Sequence, residues 1–404
     1  MWQKNVRYLD YNASSGLSKA VRENLIGLLQ DPEILANPSS RHRLGQRSSA
    51  LIYQATLKIA KSLSGLRFES ISPDDLFFTS SGTEANQTIL KSIFKQTPFI
   101  IVGAGEHSAS FDWGQAQTQT QNGEIKELSL LPDGQYNFSE LEEILANAKK
   151  AGVKCVGLSL ALANNETGVL LDVEKLKAIL KKTDKKNELA VILHLDAAQV
   201  WGKHSLDFED TSAQYLSFSA HKIGAPAGTG LIWMRRGNQI DPLLLGTQSK
   251  GNRGGTENLI GIIATGFAAE ALNSNEFEAR TRPLVKRLEE GLKQMNYPVK
   301  IWGEESLRVS NTSRFSFQEF KTYENWVELL DLKGFAVSHG SACKAQVIEP
   351  SRVLLKMGAT KDTALNSLRI SFGPNNSLVD AEDLLLAIQE ILSKKLERKV
   401  ESHE

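Results

Sequence analysis

Cysteine is scarce in this sequence, and long apolar runs are absent. Cys155 and Cys343 are the only two cysteines among 404 residues. They could pair with each other, but so few do not make a disulfide framework in a chain of this length. We therefore expect a reducing, cytoplasmic setting, in which a functional thiol stays available. No apolar run approaches the ~20 residues that span a bilayer, and the first seven residues lack the apolar core of a secretory signal.

The chain also lacks an excess of charge of either sign. Lysine plus arginine and aspartate plus glutamate each number 47. Binding to nucleic acid or to an anionic membrane normally requires a basic face. We therefore expect no direct nucleic-acid partner and no membrane partner, and no metal site is predicted.

The length of the chain and the alternation of its patterns indicate two domains. A chain of this size exceeds the usual extent of one hydrophobic core. Strand and helix patterns alternate in the middle of the chain, which predicts a mostly parallel sheet covered by helices. The predicted strands are 76–79, 99–102, 155–160, 191–195, 215–218 and 230–234. A helix is predicted over 173–182, and Ser139 with Glu142 predicts a capping box at the start of another.

Beyond about residue 265 the pattern changes to that of a smaller α+β domain. One long helix is predicted over 267–295, and a terminal amphipathic helix over 379–396. Shorter strands are predicted around 309–317 and 335–337.

Two of the predicted strands end in chemically capable side chains. Asp196 follows one of them, and Lys222 follows the next. Ligands bind at the carboxyl ends of strands in open α/β sheets. Pyridoxal 5'-phosphate (PLP) needs a lysine for its Schiff base and a carboxylate against its ring nitrogen. The pair therefore predicts a PLP enzyme, although a lone aspartate after a strand is often a turn residue or a cap.

A strand-to-helix turn at 79–86 is rich in small hydroxyl residues. By itself it fits an ordinary helix cap, but the same geometry offers backbone amides and a helix dipole to a phosphate. Gly82 allows close approach, and Thr83 supplies a hydroxyl. Ser219 and His221 would complete the phosphate site.

Three further residues are candidates near the predicted cofactor. Gln199, three residues after Asp196, is a possible donor to the phenolic oxygen of PLP. His107 follows a strand and a glycine-containing turn, which favours a ring that stacks on the cofactor and shuttles protons. Asn165 lies in a turn at 164–168 that turn formation alone would explain.

The two cysteines lie in different surroundings. Cys155 is in a strand and is expected to be inert packing. Cys343 lies in a small, polar, glycine-containing segment beside Lys344. A nearby cation lowers the pKa of a thiol, so Cys343 is a candidate nucleophile. Composition alone leaves this assignment open.

Taken in order, these segments resemble the cysteine desulfurases of the NifS/IscS type, in the class V aminotransferase branch of fold-type I PLP enzymes. The likeness covers nearly the whole chain and includes the Asp196 and Lys222 pair and the Cys343 segment. Its other segments are 8–13 (YLDYNA), 37–42 (NPSSRH), 81–86 (SGTEAN), 106–107 (EH), 163–168 (ANNETG), 253–258 (RGGTEN), 349–351 (EPS) and 368–373 (LRISFG).

The resemblance implies a fold, an assembly and domain bounds. A large PLP-binding domain over 16–264 would contain a mostly parallel seven-stranded sheet. Residues 1–15 and 265–404 would form a small α+β domain that carries the cysteine loop. The protein would be a homodimer with its active sites at the subunit interface.

The resemblance also implies roles for the site residues. Lys222 would hold PLP, Asp196 would pair with its nitrogen, and His107 would stack on its ring. The other implied cofactor contacts are Asn165, Gln199, Gly82, Thr83, Ser219, His221 and, from the partner subunit, Thr256. Arg369 would bind the substrate carboxylate with its guanidinium, and Asn37 would assist it.

The implied reaction converts L-cysteine to L-alanine and leaves a persulfide on Cys343. The sulfur would pass to an acceptor protein, such as an iron–sulfur scaffold or a tRNA-thiolation carrier. A selenocysteine lyase or another class V aminotransferase-type enzyme is the alternative. A non-catalytic sulfur-relay partner is disfavoured, because Lys222, Asp196 and His107 are all present.

Two segments depart from the family pattern. Residues 247–250 (TQSK) stand where a glycine-rich segment with an acid is usual, and His339 stands where a serine is usual. The first would affect the dimer interface. The second would affect the pKa of Cys343 or the mobility of its loop.

Overall fold

Strands and helices alternate along most of the chain. The computed structural model describes residues 6–31, 36–64, 71–120, 123–183, 188–318, 325–339 and 349–401. The strands there are β1 (Arg7–Tyr8), β2 (Leu76–Thr79), β3 (Phe99–Gly103), β4 (Glu124–Leu128), β5 (Cys155–Ala161), β6 (Ala190–Asp196), β7 (Tyr215–Ser219), β8 (Gly230–Met234), β9 (Val299–Ile301), β10 (Thr312–Phe317), β11 (Phe335–Ala336) and β12 (Ser367–Ser371). The helices there are α1 (Lys19–Leu29), α2 (Arg43–Leu63), α3 (Gly82–Gln96), α4 (Ser108–Thr120), α5 (Phe138–Lys150), α6 (Val173–Thr183), α7 (Leu259–Glu270), α8 (Ser274–Gln294), α9 (Trp326–Asp331), α10 (Arg352–Lys356), α11 (Lys361–Leu365) and α12 (Leu378–Glu401).

Seven of these strands form one sheet in the order β2-β8-β7-β6-β5-β3-β4. β8 is antiparallel to both of its neighbours, and the other pairings are parallel. The predicted mostly parallel, seven-stranded sheet is therefore confirmed. Asp196 pairs with Ala161 on one side and with Ser217 on the other. The carboxyl ends of β5, β6 and β7 thus lie side by side at one end of the sheet, which we call the carboxyl edge.

The helix that follows β2 begins at the same edge. β2 and β7 are both antiparallel to β8, so they point the same way. α3 starts three residues after the end of β2 and packs across β7 and β8. Its N-terminus therefore faces the end of β7.

A second sheet forms a separate small core. β10 lies between β12 and β9, antiparallel to both. The rings of Phe317 and Trp326 stack at 4.4 Å within this core, which Leu9 joins from the start of the chain. Val353 and Leu354 of α10, however, pack with the core of the large sheet. The predicted domain bounds, 16–264 against 1–15 with 265–404, stay a prediction.

Some predicted elements differ from the observed ones. The single helix predicted over 267–295 is wrong: α7 and α8 are separate, because the Asn273 side chain accepts the Glu276 amide and starts a new helix. Asn137, rather than Ser139, caps α5. The edge strand β4 was not predicted, since its partly exposed, charged residues resemble a loop.

The C-terminal helix α12 extends to Glu401, beyond the predicted end at 396. No helix in the described part of the chain is long and apolar enough to cross a membrane.

Candidate active site

Lys222 lies one turn beyond β7, in a short 3-10 helix over Ala220–Lys222. Its Nζ donates to the carbonyl oxygens of Asn12 at 2.6 Å and Ala13 at 2.9 Å. Both acceptors belong to the segment that follows β1. The amine is therefore held between the end of the sheet and the N-terminal segment, unlike a solvated surface lysine.

Asp196 ends the neighbouring strand β6 and is only 9% exposed. Its Oδ2 accepts from Asn86 Nδ2 at 2.8 Å, and its Oδ1 accepts from the Ala198 amide at 2.9 Å. Two N–H donors stabilise the charge of a buried carboxylate. The carboxylate and the Lys222 amine thus lie at adjacent strand ends, as the sequence predicted.

The N-terminus of α3 has the geometry of an anion site. Ser81 caps the helix, and its Oγ accepts the Glu84 amide at 3.1 Å. The first amides of a helix have no acceptor within it, so those of Gly82 and Thr83 point out of its end. A Cβ on Gly82 would lie 3.1 Å from the Cβ of Ser219. Glycine therefore keeps open the space between α3 and the end of β7.

Two histidines near this edge are neutral at neutral pH. Burial lowers the pKa of His221 to about 4, and the Lys222 charge acts in the same direction. Burial also lowers the pKa of His107, while Asp196 opposes the shift. His107 Nδ1 accepts the Ala109 amide at 3.1 Å. In the neutral ring Nε2 therefore carries the proton.

Sequence reasoning missed a buried lysine near Lys222. Lys203 is 3% exposed, and its Nζ donates to Asn12 Oδ1 at 2.8 Å and to Gln199 Oε1 at 2.6 Å. Gln199 Nε2 in turn donates to the Asn12 carbonyl at 3.0 Å. Lys203 thereby fixes the amide orientation of Gln199. Its position four residues after a predicted cofactor contact was the one available signal.

Arg369 is almost completely buried on β12, at 2% exposure. Its Nη2 pairs with Asp10 Oδ1 at 2.6 Å, and its Nη1 donates to the Asn165 carbonyl at 3.1 Å. Asn12 Nδ2 also donates to that carbonyl, at 3.2 Å. Arg369 and Asn165 therefore meet at the junction of the two sheets. Asn37 lies in an exposed turn, where its side-chain oxygen accepts the Ser39 amide at 2.9 Å.

Glu106, beside His107, is a buried acid to which the sequence analysis assigned no role. Its Oε1 accepts from the Tyr136 hydroxyl at 2.8 Å. Its Oε2 has no hydrogen-bond partner within the described residues. Burial raises the pKa of this carboxyl to about 8, and the charge of Asp196 adds to the shift. Glu106 is therefore largely protonated at neutral pH.

The structure leaves the roles of Cys343 and Thr256 open and supports the one predicted for Cys155. Cys343 lies outside the described residues. Thr256 is exposed in the segment before α7, and a contact with a partner subunit stays a prediction. Cys155, the one cysteine in the described part of the chain, is half-buried in β5, and burial raises the pKa of its thiol. These properties suit packing rather than nucleophilic chemistry.

The structure describes both segments that depart from the family pattern, residues 247–250 and His339. Ser249 and Lys250 both have positive φ, at 46° and 56°, and Lys250 Nζ donates to Asp74 at 2.6 Å. His339 Nδ1 lies 3.2 Å from the Ser367 carbonyl, which can only accept, so the ring donates there. Burial lowers the pKa of His339.

Comparison with known proteins gives the family. The chain matches the family described as "Aminotransferase class-V" over residues 7–384. It belongs to this family. "Cysteine desulfurase 2" of Trichormus variabilis is 32% identical over 397 residues, which cover 96% of this chain and 94% of that protein. "Cysteine desulfurase IscS" of Methanosarcina thermophila is 31% identical over 395 residues, covering 96% and 92%.

Solved structures agree with this class-V assignment. A NifS-like protein from Rickettsia africae superposes with a TM-score of 0.83 at 29% identity, and covers 96% of this chain and 99% of that one. The fold-type I architecture and the resemblance to desulfurases of the NifS/IscS type are therefore confirmed.

Class-V enzymes depend on PLP, and the residues present fit that cofactor. Lys222 supplies an amine and Asp196 a carboxylate at neighbouring strand ends. The space beside Gly82, which a Cβ would narrow, and the amides at the start of α3 suit a phosphate. The donor set thus provides a group for each end of the cofactor.

Proposed function

We propose that this protein is a PLP-dependent cysteine desulfurase that converts L-cysteine to L-alanine and leaves the sulfur as a persulfide on Cys343. One observation carries most of the argument: Lys222 and Asp196 lie at adjacent strand ends in a class-V chain. The curated relatives named cysteine desulfurases support the choice of substrate.

In this proposal the described residues hold the cofactor at both ends. Lys222 would bond to it covalently, and the carboxylate of Asp196 would accept from its ring nitrogen. Gly82, Thr83, Ser219 and His221 surround its phosphate. Gln199 Nε2, oriented by Lys203, and Asn165 act near its phenolic oxygen. When bound, PLP supplies an electron sink that stabilises negative charge on the substrate carbon.

Arg369 binds the carboxylate of the substrate. A guanidinium suits this task because its N–H groups match the two oxygens of a carboxylate. Asp10 and the Asn165 carbonyl hold the guanidinium of Arg369 in place. Asn37 is proposed to assist on the substrate side, although its side chain is bonded within its own turn.

Lys222 and His107 move protons. The Lys222 Nζ would accept the proton of the substrate α-carbon when its amine is free. Only Nε2 of His107 is open to exchange a proton with the substrate, because its Nδ1 is bonded to the Ala109 amide. Both residues lie at the same end of the sheet as Asp196. The charge of Asp196 raises the pKa of His107, against the effect of burial.

Cys343 receives the sulfur. Its thiolate forms a sulfur–sulfur bond as the carbon–sulfur bond of the substrate breaks, and a proton added to carbon completes alanine. The persulfide then passes its sulfur to an acceptor protein, an iron–sulfur scaffold or a tRNA-thiolation carrier, in the cytoplasm.

We propose a homodimer as the active form. Leu245 is 85% exposed, which is unusual for an apolar side chain. The Gly254 amide donates to the neighbouring Leu244 carbonyl at 2.8 Å. The exposed leucine therefore lies beside the segment that presents Thr256, and a second subunit would cover it.

Alanine release from L-cysteine, with PLP and a thiol reductant, tests the function. The wild type and Cys155→Ala should release alanine, whereas Cys343→Ala should not. Lys222→Ala should lose the absorbance of the bound cofactor. Alanine from Cys343→Ala at the normal rate would contradict the nucleophile. A PLP-loaded wild type that is inactive with L-cysteine but active with L-selenocysteine would favour the lyase alternative.

A further inference from the structure

A line of buried polar side chains connects three strands of the large sheet to Asp196. Ser159 Oγ on β5 lies 2.9 Å from His194 Nδ1 on β6. His194 Nε2 lies 3.0 Å from Ser217 Oγ on β7, and Ser217 Oγ contacts Asn86 Oδ1 on α3. Asn86 Nδ2 then donates to Asp196 Oδ2. All five side chains are buried, so each hydrogen bond replaces water that cannot reach them.

The Asp196 carboxylate, the last group in this line, determines which atom donates and which accepts in each hydrogen bond. A carboxylate only accepts, so Asn86 must turn its NH₂ group toward Asp196 and its oxygen toward Ser217. The amide oxygen also only accepts, so Ser217 donates its O–H to it. Ser217 therefore accepts from His194 Nε2–H. In the neutral ring Nδ1 is then the acceptor of the Ser159 hydroxyl.

The protonation state of His194 is consistent with this direction. Burial lowers the pKa of its imidazole to about 4, and the charge of Asp196 only partly opposes the shift. The ring is therefore neutral at neutral pH and can accept at one nitrogen while it donates at the other. A neutral ring with one acceptor and one donor is what the line requires at its centre.

We propose that Ser159, His194, Ser217 and Asn86 form a one-directional hydrogen-bond chain that positions the Asp196 carboxylate against the cofactor. These are positioning residues, since only Asp196 would touch PLP. Without the Ser217 hydroxyl, the Asn86 side chain loses one of its two hydrogen bonds, and its NH₂ group is held less firmly against the Asp196 carboxylate. The part of this inference that concerns PLP rests on the proposed function.

The direction of the chain is tested on the protein without cofactor. Nitrogen and proton NMR of the imidazole groups identifies which ring nitrogen carries the proton, and His194→Gln assigns the signal among the seven histidines. We expect one Nε2–H tautomer, with an exchange-protected proton that is lost in Ser217→Ala. A proton on Nδ1, or a mixture of tautomers, would overturn the proposal.

The positioning of Asp196 is tested by the dissociation constant of PLP and the absorbance spectrum of the bound cofactor. We expect Ser217→Ala to weaken PLP binding about tenfold, the scale of one lost hydrogen bond to a charged network, and Ser217→Thr to restore it. Ser159→Ala, at the far end of the chain, serves if Ser217→Ala does not fold, and should weaken binding in the same direction. Ser313→Ala is the matched control, because its buried hydroxyl has no partner within the described residues.

The outcomes separate this proposal from the function on which it rests. Equal PLP affinity in Ser217→Ala, Ser159→Ala and the control would refute the positioning role. A wild type that binds no PLP would instead refute the proposed function, and the positioning role with it. The NMR result would still decide the direction of the chain.

Discussion

Lys203→Met is the substitution with the most specific expected signature. The amine lies among the charges of Lys222, Arg369 and Asp10 and donates to two amide oxygens. Burial lowers its pKa well below the usual range, and the positive charges of Lys222 and Arg369 add to the shift, while Asp10 opposes it. In the unfolded chain the lysine regains a pKa near 10.4.

The sign of the pH dependence follows from these two pKa values. Between them the folded protein carries a neutral amine, while the unfolded chain still binds the proton. The unfolded state then holds more protons, so the free energy of unfolding rises with pH. The slope approaches about 1.4 kcal/mol per pH unit. Below the folded pKa the slope vanishes, and the destabilisation by the buried charge is then complete.

The effect is best measured as the difference in the free energy of unfolding between the wild type and Lys203→Met. Lys203→Met removes this titration but leaves every other group in place. It also leaves Gln199 Oε1 without its donor, a loss of about 1–3 kcal/mol that does not depend on pH. From pH 8 to pH 10 the free energy of unfolding of the wild type should therefore rise relative to that of Lys203→Met, by up to about 1.4 kcal/mol per pH unit.

Urea unfolding of the cofactor-free protein, followed by tryptophan fluorescence at several pH values, measures this difference. Lys286→Met, which removes an exposed lysine on α8, is the control and should parallel the wild type. Parallel profiles for the wild type and Lys203→Met between pH 8 and pH 10 would refute the reasoning.

Substitutions at three further residues test other parts of the site. Because the pKa of Glu106 is raised to about 8, the wild type should lose stability as pH rises from 4.5 to 8, at up to about 1.4 kcal/mol per pH unit. Glu106→Gln should flatten that part of the profile in urea unfolding, and an unchanged slope would contradict the assignment. Asp10→Ala should cost about 3–5 kcal/mol in the same assay, because it leaves Arg369 buried without its counter-charge; Asp10→Asn, which keeps an acceptor, should cost less. Ser81→Ala removes the cap of α3 and should lower the melting temperature by the equivalent of about 1 kcal/mol, so no change in calorimetry would count against the cap.

Patterns of short range determined much of this protein. Alternation of strands and helices predicted the sheet, because burial of a strand or of a helix face imposes its period on neighbouring residues. The strand ends placed Asp196 and Lys222 at one edge, since parallel strands bring their carboxyl ends together. Gly82, at the start of α3, was recognisable from the small hydroxyl residues next to it in the sequence. The order of the motifs along the chain was enough to predict the family.

The tertiary structure alone decided the partners of these groups. Lys203 and Asn12 are 191 residues apart, and Arg369 and Asp10 are 359 apart. No local period relates such positions, because their contact depends on how the N-terminal segment and β12 meet the large sheet. The neutral state of His194 also required the fold. A pKa shift of this kind comes from loss of water around the side chain, which only the packed structure determines.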